Sequence, residues 1–373
     1  MGPINMKFAH LSDTHVGFKQ YGLERRRKDF EQAFETAVSD ILNKGIRFIV
    51  HSGDLLNSNR PGPDAIQCLN RVHRNLIAHN AHMAVASGNH DYTSPPWPSV
   101  LTPDEFGIKP RDFEIVRWGD TSFYFVPSMP VEQFVKHDFK EADVLVWHGM
   151  VRPFINFEAV NSLDISELPC HRYRMVLLGD IHVTELKVAP QNPACKVGYI
   201  GSTEMCNSKE PDEKYWGEIN SQDWSTKKHT IATRPILRLK IEQELTDSWM
   251  EKLIDVVKVL TLKDPRRPIM FIDYASHIPG VVERISRTFN PDEFILRFRP
   301  EMIMTASPGV PLPATEDHMS VEDLLRSRIA MREDLVPVAM GLINQEMDPK
   351  AVLDEFIEER VRSAADRIEP AHV

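Results

Sequence analysis

The chain lacks any run of about 18 apolar residues, so a transmembrane helix and a membrane partner are not expected. Cysteine is scarce. The four present, Cys68, Cys170, Cys195 and Cys206, show no C-x-x-C spacing. That argues against a disulfide framework or a cysteine-based zinc site and predicts a reducing compartment, the cytoplasm. An apolar run starts at Met6, which leaves little room for a signal peptide; residues 1–5 read as a short extension, with Met6 as an alternative start. Internal repeats are missing too. So is any excess of positive charge. The net charge of −10 would ordinarily count against a nucleic-acid ligand. Residues 301–373, however, hold 15 acidic and 7 basic side chains, so residues 1–300 carry only −2. Bound divalent cations would offset that remainder, and global charge excludes nothing here.

What the chain does have is five short polar stretches, each following an apolar run. They are Asp13-Thr14-His15, Gly53-Asp54, Gly88-Asn89-His90-Asp91, His148-Gly149 and Gly179-Asp180-Ile181-His182. The runs before them, residues 6–11, 48–51, 83–86, 144–147 and 175–178, read as buried strands. In α/β sheets the ends of strands are where ligands bind. Any one fragment arises by chance; five in this order point to one site.

Residues 1–232 alternate strand and helix, an α/β layer architecture. Phe30, Phe34, Ala37, Val38 and Ile41 recur at helical spacing and predict a helix ending near Lys44-Gly45. A second helix is predicted over 66–78. Strands 114–117 and 122–126 flank a hairpin turn at Trp118-Gly119-Asp120, and strand 197–200 follows the last polar stretch. Near Thr233-Arg234-Pro235 the pattern restarts. Strand 236–241, helix 247–260, strand 269–274, helix 281–289 and strand 294–298 make a small second domain, residues 233–300. Residues 301–319, rich in Pro, Ser, Thr and Gly, predict a linker. Residues 320–373 predict two helices, with Ser320 and Asp323 as a capping box and Asp348-Pro349 as a helix start. The second helix carries an apolar stripe of Leu353, Ile357, Val361, Ala364 and Ile368.

Oxygen and imidazole ligands in these numbers suit two divalent cations about 3.5–4 Å apart, the arrangement that hydrolyses phosphodiesters. Mixed Asp and His donors favour Mn²⁺, Fe or Zn²⁺ over Ca²⁺. Asp54 follows a strand, and Gly53 beside it permits close backbone approach, so Asp54 is the natural bridging carboxylate. Asn89 offers a neutral amide oxygen. His90 cannot readily turn to the same metal as its neighbour. It is left for the substrate, to protonate the leaving oxygen or stabilise the phosphoryl group.

These residues resemble the calcineurin-like metallophosphoesterases, and more closely the SbcD-type nuclease subunits of DNA double-strand-break repair and their bacteriophage counterparts. The resemblance rests on DTHVG at the N-terminus, Arg27-Lys28-Asp29-Phe30, GDLLNSNRP at 53–61, GNHD, WHG, GDIH and Gly201-Ser202, and it extends over most of the chain. It implies a β-sandwich flanked by helices, a small α/β capping domain that recognises DNA, and C-terminal helices that dock an SMC-like SbcC-type ABC ATPase. It implies a homodimer acting on DNA in the cytoplasm, that of the host if the chain is phage-encoded. One metal, most simply Mn²⁺ with Mg²⁺ as the alternative, would take Asp13, His15, Asp54 and His182. The other would take Asp54, Asn89, His148 and Asp180, with His90 as the transition-state residue. Two positions depart from the family. Asp180 stands where histidine is usual, which implies a harder and less positive second metal. Asn57 stands where many members have histidine, and an amide cannot shuttle a proton.

The leading expectation is a Mn²⁺-dependent DNA nuclease, exonuclease or endonuclease. A small-molecule phosphodiesterase or phosphatase on the same core is the alternative within enzymes, and a catalytically weak scaffold docking DNA or an ATPase is the alternative outside them. Arg25, Arg26 and Arg27 with Lys28 form the strongest basic cluster, and with Asn57 and Arg60 they are candidate DNA contacts. A solvated helix start is the competing reading for that cluster. Trp97, just after GNHD, is a candidate for core packing, the DNA path or a dimer contact.

Overall fold

A computed structural model describes residues 7–91, 107–154 and 161–301. The expected linker beyond Glu301, the C-terminal helices and Trp97 lie outside the described residues. No helix among the described residues is long and apolar enough to cross a membrane.

Two six-stranded sheets face each other. The first runs in the order β14 (Thr226–Ile231), β13 (Lys214–Asn220), β1 (Lys7–Leu11), β2 (Phe48–His51), β3 (His82–Val85), β4 (Gly107–Pro110). The second runs β11 (Glu185–Ala189), β12 (Asn192–Tyr199), β10 (Met175–Gly179), β7 (Val144–His148), β6 (Thr121–Val126), β5 (Ile115–Trp118). Strands β1 to β4 are mutually parallel, as are β12, β10, β7 and β6, and the flanking strands pair antiparallel.

Side chains alternate across each strand, so one set fills the space between sheets and the other faces outward. Phe8, Phe48, Val50 and Ala84 of the first sheet meet Phe123, Phe125, Val144, Val146, Met175 and Leu177 of the second. The outer face of the first sheet, including Ala9, Leu11, Ile49 and Met83, packs under α1 (Glu24–Asn43) and α2 (Pro63–Ala78). Helix α1 turns Phe30, Ala33, Phe34, Ala37, Val38 and Ile41 inward at the expected spacing. The outer face of the second sheet is covered by short pieces instead. Phe134, in the single turn α3 (Val131–Phe134), Leu163 in β9 (Ser162–Asp164), which pairs with β8 (Met150–Arg152), and the loop residue Leu168 do this.

A third, parallel sheet has the order β15 (Ile236–Ile241), β16 (Ile269–Ala275), β17 (Ile295–Glu301), with α4 (Asp247–Lys263) and α5 (Val281–Thr288) in the crossovers. Its own core includes Met270, Ile272, Leu253 and Ile285. The opposite face places Ile269, Phe271 and Ile295 against Met205, Tyr21 and Leu23 of the sandwich. Arg234, at the expected restart, is buried and donates two hydrogen bonds to the Asp29 carboxylate at 2.7 and 2.9 Å. The expected strand at 197–200 is the end of the longer β12, and β4, β8, β9, β11, β13 and β14 have no counterpart in the sequence reading.

Candidate metal centre

The five polar stretches emerge side by side. Leu11 pairs with His51 and His51 with Val85, while Gly179 pairs with His148, so the strand ends of each sheet are level. The loops continue the ladders for another turn: Asp13 N donates to Gly53 O (3.0 Å), His15 N to Asp54 O (3.0 Å), and Gly149 N to Gly179 O (3.1 Å). Asp13, His15, Asp54 and Asp180 all have positive φ, between 42° and 97°. Backbone in that region costs about 1–3 kcal/mol per residue and persists where the surroundings over-determine it. Two glycines make the crowding possible. A Cβ on Gly53 would lie 2.3 Å from His148 Nδ1, and one on Gly88 would lie 2.1 Å from Asp54 Oδ1.

Asp54 stands between two groups of donors. Its Oδ1 lies 3.5 Å from His148 Nε2, and its Oδ2 lies 3.8 Å from His15 Nε2. On the first side, His148 Nδ1 donates to Ser52 O (2.9 Å), which leaves Nε2 as an acceptor. That nitrogen nevertheless faces oxygens of Asn89 (3.1 Å), Asp54 and Asp180 (3.9 Å). On the other side, His182 Nδ1 donates to Glu210 Oε1 (2.8 Å). Its Nε2 is 3.3 Å from His15 Nε2 and 3.9 Å from Asp13 Oδ1. His15 is buried and its Nδ1 has no partner. Lone pairs aimed at one another in a dry site repel, and cations among them reverse the sign of every contact. Two nitrogens each about 2.0–2.1 Å from one tetrahedral ion sit about 3.3 Å apart, as these two imidazoles do. The residues therefore fit divalent metal ions.

Electrostatics point the same way. Burial raises the pKa of Asp13 and Asp180, with the Asp54 charge adding to both. Burial holds His15 well below the usual imidazole range, helped by His182 and His90. For His148 burial alone would lower the pKa, but Asp54, Asp13 and Asp180 outweigh it and raise it. For His182 burial is likewise outweighed, by the Cys206 and Glu210 side chains and by Asp13.

His90 N donates to Asp54 Oδ1 (3.0 Å), and its Nδ1 donates to Asn57 O (2.8 Å). The ring is 42% exposed, with Nε2 3.9 Å from Asp54 Oδ2. His90 also falls within ligand spacing of His15 and Asp54, so geometry places it beside the donors as well as at the opening. Asn57 lines the same cleft, and Arg60 is exposed.

The basic cluster is placed otherwise than expected. Arg26 is fully buried, bonded to Gln20, Asp29, Glu204 and Met205 O, which removes it from phosphate contact. Arg25 donates to the carbonyls of Pro291, Asp292 and Phe294, and Arg27 is paired with Glu24 and Glu31. These side chains tie the sandwich together and to the third sheet; they are not a free basic surface.

Two residues of consequence were not identified from sequence. Asp91 accepts from Leu55 N (3.1 Å), Leu56 N (2.8 Å) and Gly88 N (3.0 Å), clamping the loop of Asp54 to that of Asn89. Its burial and the Asp54 charge push its pKa up to about 6. Glu210 orients His182 and is itself held by Lys214 Nζ (2.6 Å). The signal for Asp91 was its place inside GNHD; for Glu210 only the i, i+4 spacing to Lys214 was present.

The calcineurin-like phosphoesterase family pattern matches residues 6–185. The DNA double-strand break repair protein Mre11 of Methanocaldococcus jannaschii is 34% identical, over 96% of this chain and 100% of that protein. Its namesake in Methanococcus maripaludis is 24% identical over 90% and 94%. That of Haloferax volcanii is 30% identical over 69% of this chain and 59% of its own length. The chain spans 46–60% of the length of several such relatives.

Proposed function

Because this chain belongs to the Mre11 family of calcineurin-like phosphoesterases, we propose that it is a divalent-metal-dependent nuclease hydrolysing phosphodiester bonds of DNA in recombination, repair or replication. The observation that carries the reading is Asp54, whose two oxygens face separate sets of donors. Asp13, His15, Asp54 and His182 would hold one cation, and Asp54, Asn89, His148 and Asp180 the other. Two bound cations supply a nucleophilic water at neutral pH and neutralise charge on the phosphoryl oxygens. The mixture of carboxylate, amide and imidazole favours Mn²⁺ over Mg²⁺.

The protein's own groups do the rest. Glu210 fixes the tautomer of His182, and Ser52 O fixes that of His148, so both present Nε2 to the site. Asn57 O accepts a hydrogen bond from His90 Nδ1 and so turns Nε2 to the cleft. As the imidazolium, with both ring nitrogens protonated, His90 would pass its Nε2 proton to the leaving oxygen or donate it to the phosphoryl group. Duplex DNA, an SbcC-type ATPase docked on residues 320–373, a DNA-recognising unit at 233–300 and assembly as a homodimer complete the proposal.

Cleavage of linear duplex DNA in Mn²⁺, compared with a chromogenic diester and with and without the ATPase, tests it. DNA cleavage stimulated by the ATPase is expected. Hydrolysis of the diester alone would make this a phosphodiesterase of small molecules, and no hydrolysis of either would make it a scaffold.

A further inference from the structure

Cys206 falls beyond the stretch matched by the phosphoesterase pattern, yet its thiol lies against one half of the site. The Cys206 sulfur and one ring nitrogen each of His15 and His182 are within 4.8 Å of one another. The Nε2 atoms of those histidines, at 3.3 Å, are already spaced as two ligands of a tetrahedral ion. His15 is 5% exposed and its Nδ1 is unpartnered. The cysteine itself is held on both sides. Its backbone N donates to Glu210 Oε2 (3.1 Å), its carbonyl accepts from Gln20 Nε2 (2.8 Å), and its thiol lies against the His182 side chain and makes a long contact to Glu204 O (3.5 Å).

Resting on the reading of this cleft as a metal centre, we propose that Cys206, His15 and His182 form a second binding mode for a thiophilic divalent cation such as Zn²⁺. A thiolate with two imidazoles is a ligand set for zinc, whereas carboxylates suit Mn²⁺ and Mg²⁺. Binding forms an S–Zn bond and breaks the S–H bond, and the proton goes to solvent; nothing is oxidised or reduced. The two modes share His15 and His182 and exclude one another. Zn²⁺ held through sulfur therefore displaces the arrangement that serves hydrolysis.

Cobalt titrated into the full chain reads this without recourse to activity. Visible d–d bands should appear together with a near-ultraviolet thiolate-to-cobalt charge-transfer band. In Cys206→Ser the charge-transfer band should vanish while the visible bands persist. Visible bands with no charge-transfer band in the wild type would remove Cys206 from the ligands and leave the metal centre standing. No cobalt bands at all would overturn both readings, and a band surviving in Cys206→Ser would assign the sulfur to another cysteine and overturn this one.

The unsubstituted chain gives an independent measure, because Cys68, Cys170 and Cys195 are buried and Cys206 is partly exposed. Zn²⁺ at ten times its dissociation constant should slow alkylation of Cys206 about tenfold by mass action, and Mn²⁺ should not. Equal protection by the two ions would refute a sulfur-selective mode.

Discussion

Replacing Glu210 with glutamine separates two jobs that one carboxylate performs. Glu210 accepts from His182 Nδ1 at 2.8 Å and from Lys214 Nζ at 2.6 Å, and the Lys214 side chain is 2% exposed. The amide keeps the shape and can still accept from His182, but the charge opposite Lys214 is gone. Leaving one member of a buried ion pair uncompensated costs about 3–5 kcal/mol. Lys214 retains Ser202 Oγ (2.9 Å) and His182 O (3.4 Å), so the lower end, about 3 kcal/mol, applies. For a unit of about 300 residues that corresponds to a fall in Tm of roughly 5 °C. Loss of the carboxylate behind a metal-binding histidine should also weaken metal affinity about 10–100-fold. Thermal unfolding and calorimetric metal titration measure the two effects. The double variant Glu210→Gln, Lys214→Met removes the stranded charge and should recover most of the stability while metal affinity stays low. If Glu210→Gln binds Mn²⁺ within about twofold of wild type, the charge of Glu210 contributes nothing to His182 as a ligand, and that role of the carboxylate is refuted.

The other expectations concern the site more directly. Asp54→Ala and His148→Ala should abolish hydrolysis with the fold intact, since Asp54 faces both donor sets and His148 anchors one; wild-type rates in Mn²⁺ would sink the two-metal assignment. His90→Asn should keep its metals and lose turnover; loss of metal along with activity, measured on the purified variant, would make His90 a ligand. Asp180→His should bind borderline metals more tightly and tolerate Mg²⁺ less, and an unchanged metal preference would mean that Asp180 is not a ligand. His10 and His51 are buried neutral, with burial pulling each pKa down to about 3 from 6.5. Their contribution is complete above pH 6.5 and is lost as pH falls towards 3, because only the unfolded chain takes up the protons. The loss is about 1.4 kcal/mol per pH unit for each, or about 4 kcal/mol for the pair between pH 7.5 and 5. Urea unfolding across that range should show a shallower fall in His51→Asn, and an identical slope would refute the assignment.

The basic run Arg25-Arg26-Arg27-Lys28 shows where sequence reading stopped short. Four consecutive charges suggest a solvated surface, yet Arg26 sits one helical turn before Phe30 and so on the buried face of α1. Only the fold reveals what it meets there, because Glu204 and Met205 are nearly 180 residues away. Strands β13 and β14 were overlooked for a related reason. Segments such as Thr226–Ile231 (TKKHTI) are polar along most of their length and acquire strand structure from pairing with a neighbour.

What the sequence determined was the set of groups that the structure brings together at the strand ends. Asp13, Asp54, Asn89, His148, Asp180 and His182 each follow or close a short apolar run, and a strand's direction carries its terminal residues to one edge of a sheet regardless of distant contacts. The positions of Glu210, Cys206 and Arg26 were decided by tertiary structure alone. They lie where two sheets, a helix and a loop from separate parts of the chain converge, and no local pattern encodes which charges will share a buried volume.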